Sequence, residues 1–187
     1  MFKKIAVLII LFAVTTLMAQ DSLASHSFVG TETCGICHKS EKQCKQIDIW
    51  KASAHSKAYE TLKTAKADSI AKAKGLSTNA ILSEACLKCH VSGYNIDASL
   101  KTAKFKMEDG VQCETCHGAG ADYKSFKVMK DLKIAKKNGL LVFKTDEERI
   151  ALCKRCHNSE SPTFDSSTSD FAKMWSEIKH DIPKSSK

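Results

Sequence analysis

Eight of the nine cysteines in this 187-residue chain fall in four pairs at two-residue spacing, and each pair is followed at once by a histidine. The segments are Cys34-Gly-Ile-Cys37-His38, Cys86-Leu-Lys-Cys89-His90, Cys113-Glu-Thr-Cys116-His117 and Cys153-Lys-Arg-Cys156-His157. With 7 histidines in the chain, composition alone would put one after all four pairs roughly twice in a million trials, so the association is not accidental. Zinc sites and disulfides also use paired cysteines, but neither needs a histidine directly after each pair. Haem attachment does. Two thiols separated by two residues can form thioethers to the two vinyl groups of one porphyrin, and the next residue then lies beneath the iron as an axial ligand. The pattern predicts four covalently bound c-type haems (haem c, iron) on Cys34, Cys37, Cys86, Cys89, Cys113, Cys116, Cys153 and Cys156. His38, His90, His117 and His157 are the expected proximal iron ligands.

The N-terminus fits that chemistry. Lys3 and Lys4 precede an apolar run from Ile5 to Met18, after which small and polar residues such as Ala19, Ser22 and Ala24 appear. This is the layout of a secretory signal peptide. The run is shorter than the roughly 20 residues needed to cross a bilayer. Residues 1–24 are therefore expected to be removed on export, with cleavage after Ala19 or Ala24. The mature chain, 25–187, is expected to be one domain in the periplasm or otherwise exported, with no stable transmembrane segment.

The motifs begin at residues 34, 86, 113 and 153, which is no regular repeat. The mature chain supplies only about 41 residues for each, far less than a domain with its own core. The haems must then supply much of the interior and lie close together. Ile47, Trp50, Ala54, Ala58 and Leu62 recur at spacings of three and four, as one buried helical face should, with His55 beside it. Further helices are expected from Asp68 to Lys74 before Gly75, around Val128, Leu132 and Ala135 before Asn138-Gly139, and through Phe171, Met174, Trp175 and Ile178 to a stop near His180 and Pro183. Thr145 and Glu148 read as a capping box for a helix that carries Ile150 and leads into the fourth motif. No convincing strand run is present. The expected fold is mainly α with long irregular loops, a compact multihaem cytochrome organised around four packed haems.

Charge narrows the partners. The formal charge is +8, and removal of Lys3, Lys4 and Asp21 with the leader leaves +7. Such a balance can mark nucleic-acid binding, but the lysines are spread over several segments without interleaved aromatic platforms. Two propionates on each of four haems would bring the sum to about −1, before the iron is counted. The basic character reads as compensation for the chain's own cofactors, and nucleic acid is not an expected partner.

Beyond the motifs, Phe28-Val-Gly-Thr-Glu-Thr-Cys34 followed by Trp50-Lys-Ala-Ser-Ala-His55 resembles the opening of the tetrahaem cytochrome c-554 family. Gly110-Val-Gln-Cys113-Glu-Thr-Cys116-His117-Gly-Ala-Gly120 resembles the corresponding motif of that family and of related nitrite reductases and hydroxylamine oxidoreductases, and Trp175-Ser-Glu-Ile-Lys-His180 is similar to its terminal segment. The resemblance implies a periplasmic electron carrier whose packed haems relay electrons between redox protein partners. It implies His55 and His180 as distal iron ligands, with His55 serving the third haem, and an open iron at the second haem, on His90. There is a departure: the family commonly has a ligand histidine shortly after the third motif, whereas Gly120-Ala-Asp-Tyr123-Lys-Ser-Phe126 has none.

Four proximal histidines leave His26, His55 and His180 for distal positions, so at most three haems can be bis-histidine within one chain. Met107, Met129 and Met174 are alternative ligands, although Met174 fits better as core, and Tyr123 is a further one. Cys44, the unpaired ninth cysteine, reads as a small buried hydrophobe. A carrier needs no substrate pocket, and no variant motif singles out a catalytic haem, so no catalytic residue is assigned. The alternative is an oxidoreductase acting on a small nitrogen or oxygen species at a five-coordinate haem. Donor, acceptor, potentials and oligomeric state are not encoded in a legible way.

Overall fold

The computed structural model describes residues 26–182. The expected leader, 1–24, and the Pro183 stop lie outside the described residues. Ten short α-helices follow one another among these residues: α1 Thr31–His38, α2 Gln46–Ala52, α3 Ala58–Thr61, α4 Ala65–Ala73, α5 Glu84–His90, α6 Cys113–His117, α7 Phe126–Met129, α8 Leu132–Lys137, α9 Asp146–Cys153 and α10 Phe171–Ile178. Five 3-10 turns and long irregular connections join them. The only extended pairing among the described residues is an isolated bridge between Phe28 and Lys101. The mainly helical expectation therefore holds, with elements mostly shorter than the sequence suggested.

The reason for the shortness is side-chain capping. The apolar spacing from Ile47 to Leu62 predicts one helix, but the structure breaks it at Ser53, whose backbone is extended. Ser53 Oγ donates to the Trp50 carbonyl at 2.7 Å, and Ser56 Oγ donates to the Lys51 and Ser53 carbonyls. These hydroxyls take over carbonyls that a continuing helix would use. The chain then makes a 3-10 turn at His55–Lys57 before α3. In the same way Asp131 stops α7 and starts α8 by accepting from the amides of Lys133 and Ile134. Where the caps were legible the helices start as expected: the Thr145/Glu148 box opens α9.

Apolar packing is sparse. The fully buried hydrophobic residues among those described are Val29, Ile47, Leu62, Ala71, Ala80, Val91, Tyr123 and Ala135, three of them alanine. One cluster joins Leu62, Ala71 and Ala80 to Leu76, Ile81, Cys86 and Leu87, and so seats α5 with the second motif against α4. The remaining motifs are held by polar staples rather than by a conventional core. Cys44 is half-buried rather than fully so, and with Lys45 forms two consecutive non-glycine residues in the left-handed region, φ 59° and 48°.

Candidate haem attachment sites

Each motif sits on or at the end of a short helix, so its two cysteines and its histidine lie at helical spacings of three and four and share one face. Thus α1, α5 and α6 each end on a motif histidine, whereas α9 ends at Cys153 and a turn carries Cys156 and His157.

The motifs adjoin in the order first, third, fourth, second. The thiols of Cys34 and Cys113 are within hydrogen-bonding reach, which pushes the Cys34 thiol up and pulls that of Cys113 down. Burial and the neighbouring Cys153 push Cys116 up to about 11. Burial, then Cys89, pushes Cys156 up to about 12. Lys88 of the second motif pairs with Glu160, just past the fourth, and the Lys74 ammonium donates to the Glu160 carbonyl at 3.1 Å.

Glu114, inside the third motif, is the polar staple of this arrangement. It is 3% exposed. Its carboxylate accepts from the amides of Val29 and Gly30, both at 2.9 Å, and of Gly120 at 2.7 Å. One side chain thus ties the segment before the first motif and the loop after the third to α6. Sequence reading passed over it as a spacer between cysteines; its proximity to Gly120 and its place in the motif were the available signals. Tyr123, 8% exposed, lies against Cys34 and Cys113 and donates to the Gly118 carbonyl at 2.8 Å, so its hydroxyl is engaged in packing.

The histidines separate into two groups. The ring centres of His55 and His157 are 6.1 Å apart, and those of His117 and His180 are 5.8 Å apart. A metal–imidazole bond is about 2 Å and the ring centre lies about 1 Å further on, so two imidazoles on opposite sides of one iron have centres about 6 Å apart. Each pair has one member from a motif and one from outside it. Burial and then the partner ring hold His55 and His117 below the ordinary imidazole value, and burial does the same for His157 and His180. All four are therefore kept in the neutral form that binds a metal. Phe164 stacks beside His157 at 5.9 Å and Phe171 beside Phe164 at 6.0 Å, which walls the fourth site with α10.

One difference from what the resemblance implies appears here. The resemblance assigns His55 to the third haem, but its ring faces His157, of the fourth motif, and His180 faces His117. The backbone misleads: Val111, two residues before Cys113, donates to the His55 carbonyl at 3.0 Å, and Trp50 Nε1 donates to the Val111 carbonyl at 2.8 Å. His55 is anchored to the third motif while its side chain reaches the fourth. The approach is so close that a Cβ on Gly110 would lie 2.6 Å from the His55 carbonyl.

His38, His90 and His26 make other contacts. His38 Nδ1 contacts Gln46 Oε1. His90 Nδ1 lies 2.8 Å from the Ala58 carbonyl and 3.2 Å from Thr61 Oγ1. Such a partner fixes the ring orientation and leaves Nε2 for a metal. No second histidine ring faces either one at the 6 Å spacing among the described residues. His26 Nδ1 lies 2.5 Å from Asp122 Oδ2, and its ring packs over Gly139 rather than against another histidine.

No group of three His, Cys, Asp or Glu side chains converges as a metal cluster among the described residues. Two cysteines and a histidine on one helical face would suit a flat group held at its edge by sulfur and on one face by nitrogen, with a second imidazole at ligand spacing at the third and fourth motifs. Comparison with known proteins agrees. Residues 33–118 match the family model described as cytochrome c554 and c-prime. Over this stretch the chain is similar to the cytochrome c-554 family. It is also 35% identical over 116 residues to cytochrome c-554 of Nitrosomonas europaea, a match covering 60% of this chain and 47% of the relative. The chain thus spans about half the length of that relative. No solved structure matches it. The family is one of c-type cytochromes, which makes c-type haem the cofactor implied. No helix among the described residues is long and apolar enough to cross a membrane.

Proposed function

We propose that this chain, similar to the cytochrome c-554 family, is a periplasmic electron-transfer protein that binds four c-type haems and relays electrons between redox protein partners. The eight paired cysteines would hold the porphyrins, and His38, His90, His117 and His157 would be the proximal ligands. His180 and His55 would complete the irons of the third and fourth motifs. When bound, each haem supplies an iron that alternates between ferric and ferrous states, at a potential set by its ligands and surroundings.

The observation that carries this reading is the pair of histidine spacings, 6.1 and 5.8 Å, each joining a motif histidine to one from elsewhere in the chain. The chain's own contribution is to keep those rings neutral by burial, to aim His90 through the Ala58 carbonyl, and to set the four motifs side by side through Glu114 and the Lys88–Glu160 pair.

Intact mass of the denatured protein tests the count, with four haem additions expected on a chain lacking its leader. Redox titration should then show reversible one-electron steps. Fewer additions, or bound zinc, would defeat the reading.

A second reading, an oxidoreductase of small nitrogen or oxygen species, is favoured by one observation. His90 and His38 have no histidine ring opposite them among the described residues, and an iron with a free position can bind a small molecule. Steady turnover of nitrite, hydroxylamine or peroxide by the purified protein would place this reading first.

A further inference from the structure

Between the third and fourth motifs, and outside the stretch matched to the family, residues 124–137 form a small helical hairpin of α7 and α8. It carries Lys124, Lys127, Lys130, Lys133, Lys136 and Lys137, all exposed, and a single acid, Asp131. That carboxylate is already occupied as the cap of α8. The ion pairs of the described residues lie elsewhere, at His26–Asp122, Glu41–Lys45, Glu60–Lys63, Lys88–Glu160, Glu32–Lys104 and Asp146–Arg149. None of them uses a hairpin lysine. Lys124 donates to the Ala121 carbonyl and Lys130 sits 4.2 Å over the Phe126 ring, while Lys127, Lys133, Lys136 and Lys137 have no partner among the described residues.

Apolar groups stand among these charges. Phe126 is 70% exposed and Leu132 57%, with Ile134 beside them in sequence at 45%. The hairpin is anchored from beneath by Ala135, which is fully buried. A solvated helix face needs no exposed phenylalanine and leucine, whereas an interface combines apolar contacts with a charged rim. The helices have four and six residues, too short to lay a continuous amphipathic face into a membrane.

The hairpin also stands at a defined place. The Leu141 amide donates to the His117 carbonyl at 2.9 Å, and a Cβ on Gly118 would lie 2.5 Å from the Gly139 carbonyl. The segment that leaves α8 is therefore clamped to the end of the third motif.

We propose that the α7–α8 hairpin is the docking surface for an acidic face of a partner redox protein, and that it brings this partner to the third haem site. The proposal rests on the electron-carrier reading. Unpaired lysines around exposed apolar side chains complement a carboxylate-rimmed patch, and they steer its approach over a distance that salt shortens.

Flavodoxin, an acidic redox protein, serves as the probe. In stopped flow, its hydroquinone gives one electron to a ferric iron of the holoprotein, leaving flavin semiquinone and ferrous iron. Lys127→Glu/Lys133→Glu/Lys136→Glu should slow this second-order reaction on the order of tenfold at low ionic strength, with the difference collapsing in high salt. The corresponding glutamine variant should fall between. A control reversing Lys42, Lys66 and Lys72, also exposed, should change the rate far less. Photoreduced lumiflavin semiquinone, which is neutral, should reduce all variants equally. If even the unaltered holoprotein fails to accept electrons from lumiflavin, the carrier reading itself falls and the docking surface with it. Equal slowing in the control variant, or no slowing in the hairpin variants while lumiflavin still reacts, overturns the docking surface alone. So does hairpin-dependent sedimentation with phosphatidylglycerol vesicles without an effect on the flavodoxin rate.

Discussion

The His55 ring stands 6.1 Å from that of His157, although the two residues lie 102 positions apart and the His55 backbone is bonded to a different motif. A single residue thus links the turn after α2, the approach to α6 through its backbone and the end of α9 through its ring. With iron between the rings, this contact becomes a coordinate cross-link.

Replacing His55 by alanine should convert the iron of the fourth motif, and no other, from low to high spin. His180→Ala should do the same at the third motif. Because the two pairs share no ring, the double variant should lose both low-spin signals additively. Paramagnetic resonance of the ferric holoproteins measures this. An unchanged spectrum for His55→Ala would remove the assignment.

Gly110 gives a steric test of the same link. Its φ is +71°, and an added Cβ would meet the His55 carbonyl at 2.6 Å, with the Ala58 and Tyr59 amides at 3.2 and 3.3 Å. Gly75 has nearly the same φ, +72°, but nothing lies within 4 Å of its Cβ position. Gly75→Ala should cost about 1 kcal/mol from backbone conformation alone. Gly110→Ala should cost more and should also raise the high-spin fraction at the fourth motif, since the turn bearing His55 must move. Equal unfolding midpoints for the two variants would contradict the clamp.

Glu114→Ala would leave the amides of Val29, Gly30 and Gly120 buried without acceptors. An unsatisfied buried donor costs about 1–3 kcal/mol, so a loss of about 3 kcal/mol or more is expected, partly offset if water enters. Chemical denaturation of the holoprotein reads the loss. Glu114→Asp, a carboxylate too short to reach all three amides, should fall between.

The parts of the fold written in local chemistry were legible in the sequence: the helix ending before Gly75, the Thr145/Glu148 cap that leads α9 into the fourth motif, and the amphipathic α10. The break at Ser53 was not, because apolar spacing continued through it and only the serine hydroxyls decide against a helix. The histidine pairing was legible as a count but not as a match. Nothing local to His55 distinguishes His117 from His157, and the backbone bond from Val111 ties His55 to the third motif while its ring stands beside His157 of the fourth. Glu114 escaped notice because a charged residue between two motif cysteines reads as solvent-facing, whereas its three partners come from segments 6 and about 85 residues away.

Acid should act on the histidine pairs. In the folded chain His55, His117, His157 and His180 lie below the ordinary imidazole value of about 6.5, chiefly through burial. A histidine with a lowered folded value binds fewer protons when folded than when unfolded, so its contribution is present above about pH 6.5 and is lost as pH falls through the folded value. Iron on the ring competes with the proton and moves the loss lower still. The low-spin signals should therefore persist unchanged at pH 6 and give way to high spin only in stronger acid. Conversion centred near pH 6.5 would mean that the rings are neither buried nor bound to iron.

Carbon monoxide should separate the two groups of histidines. It binds ferrous iron only where one axial position is free or weakly held, and the His117–His180 and His55–His157 pairs leave no such position. His90 and His38 are oriented through Nδ1 by the Ala58 carbonyl and the Gln46 amide, so each can hold an iron from one side while no second histidine ring faces it among the described residues. Added to the reduced holoprotein, carbon monoxide should shift the absorption of the irons on His90 and His38 and leave the paired ones unaltered. His55→Ala should then create one further responding iron, on His157. If no iron of the unaltered protein responds, while His55→Ala still gains one, side chains other than histidine must close the first and second sites, and the oxidoreductase reading loses its reaction centre.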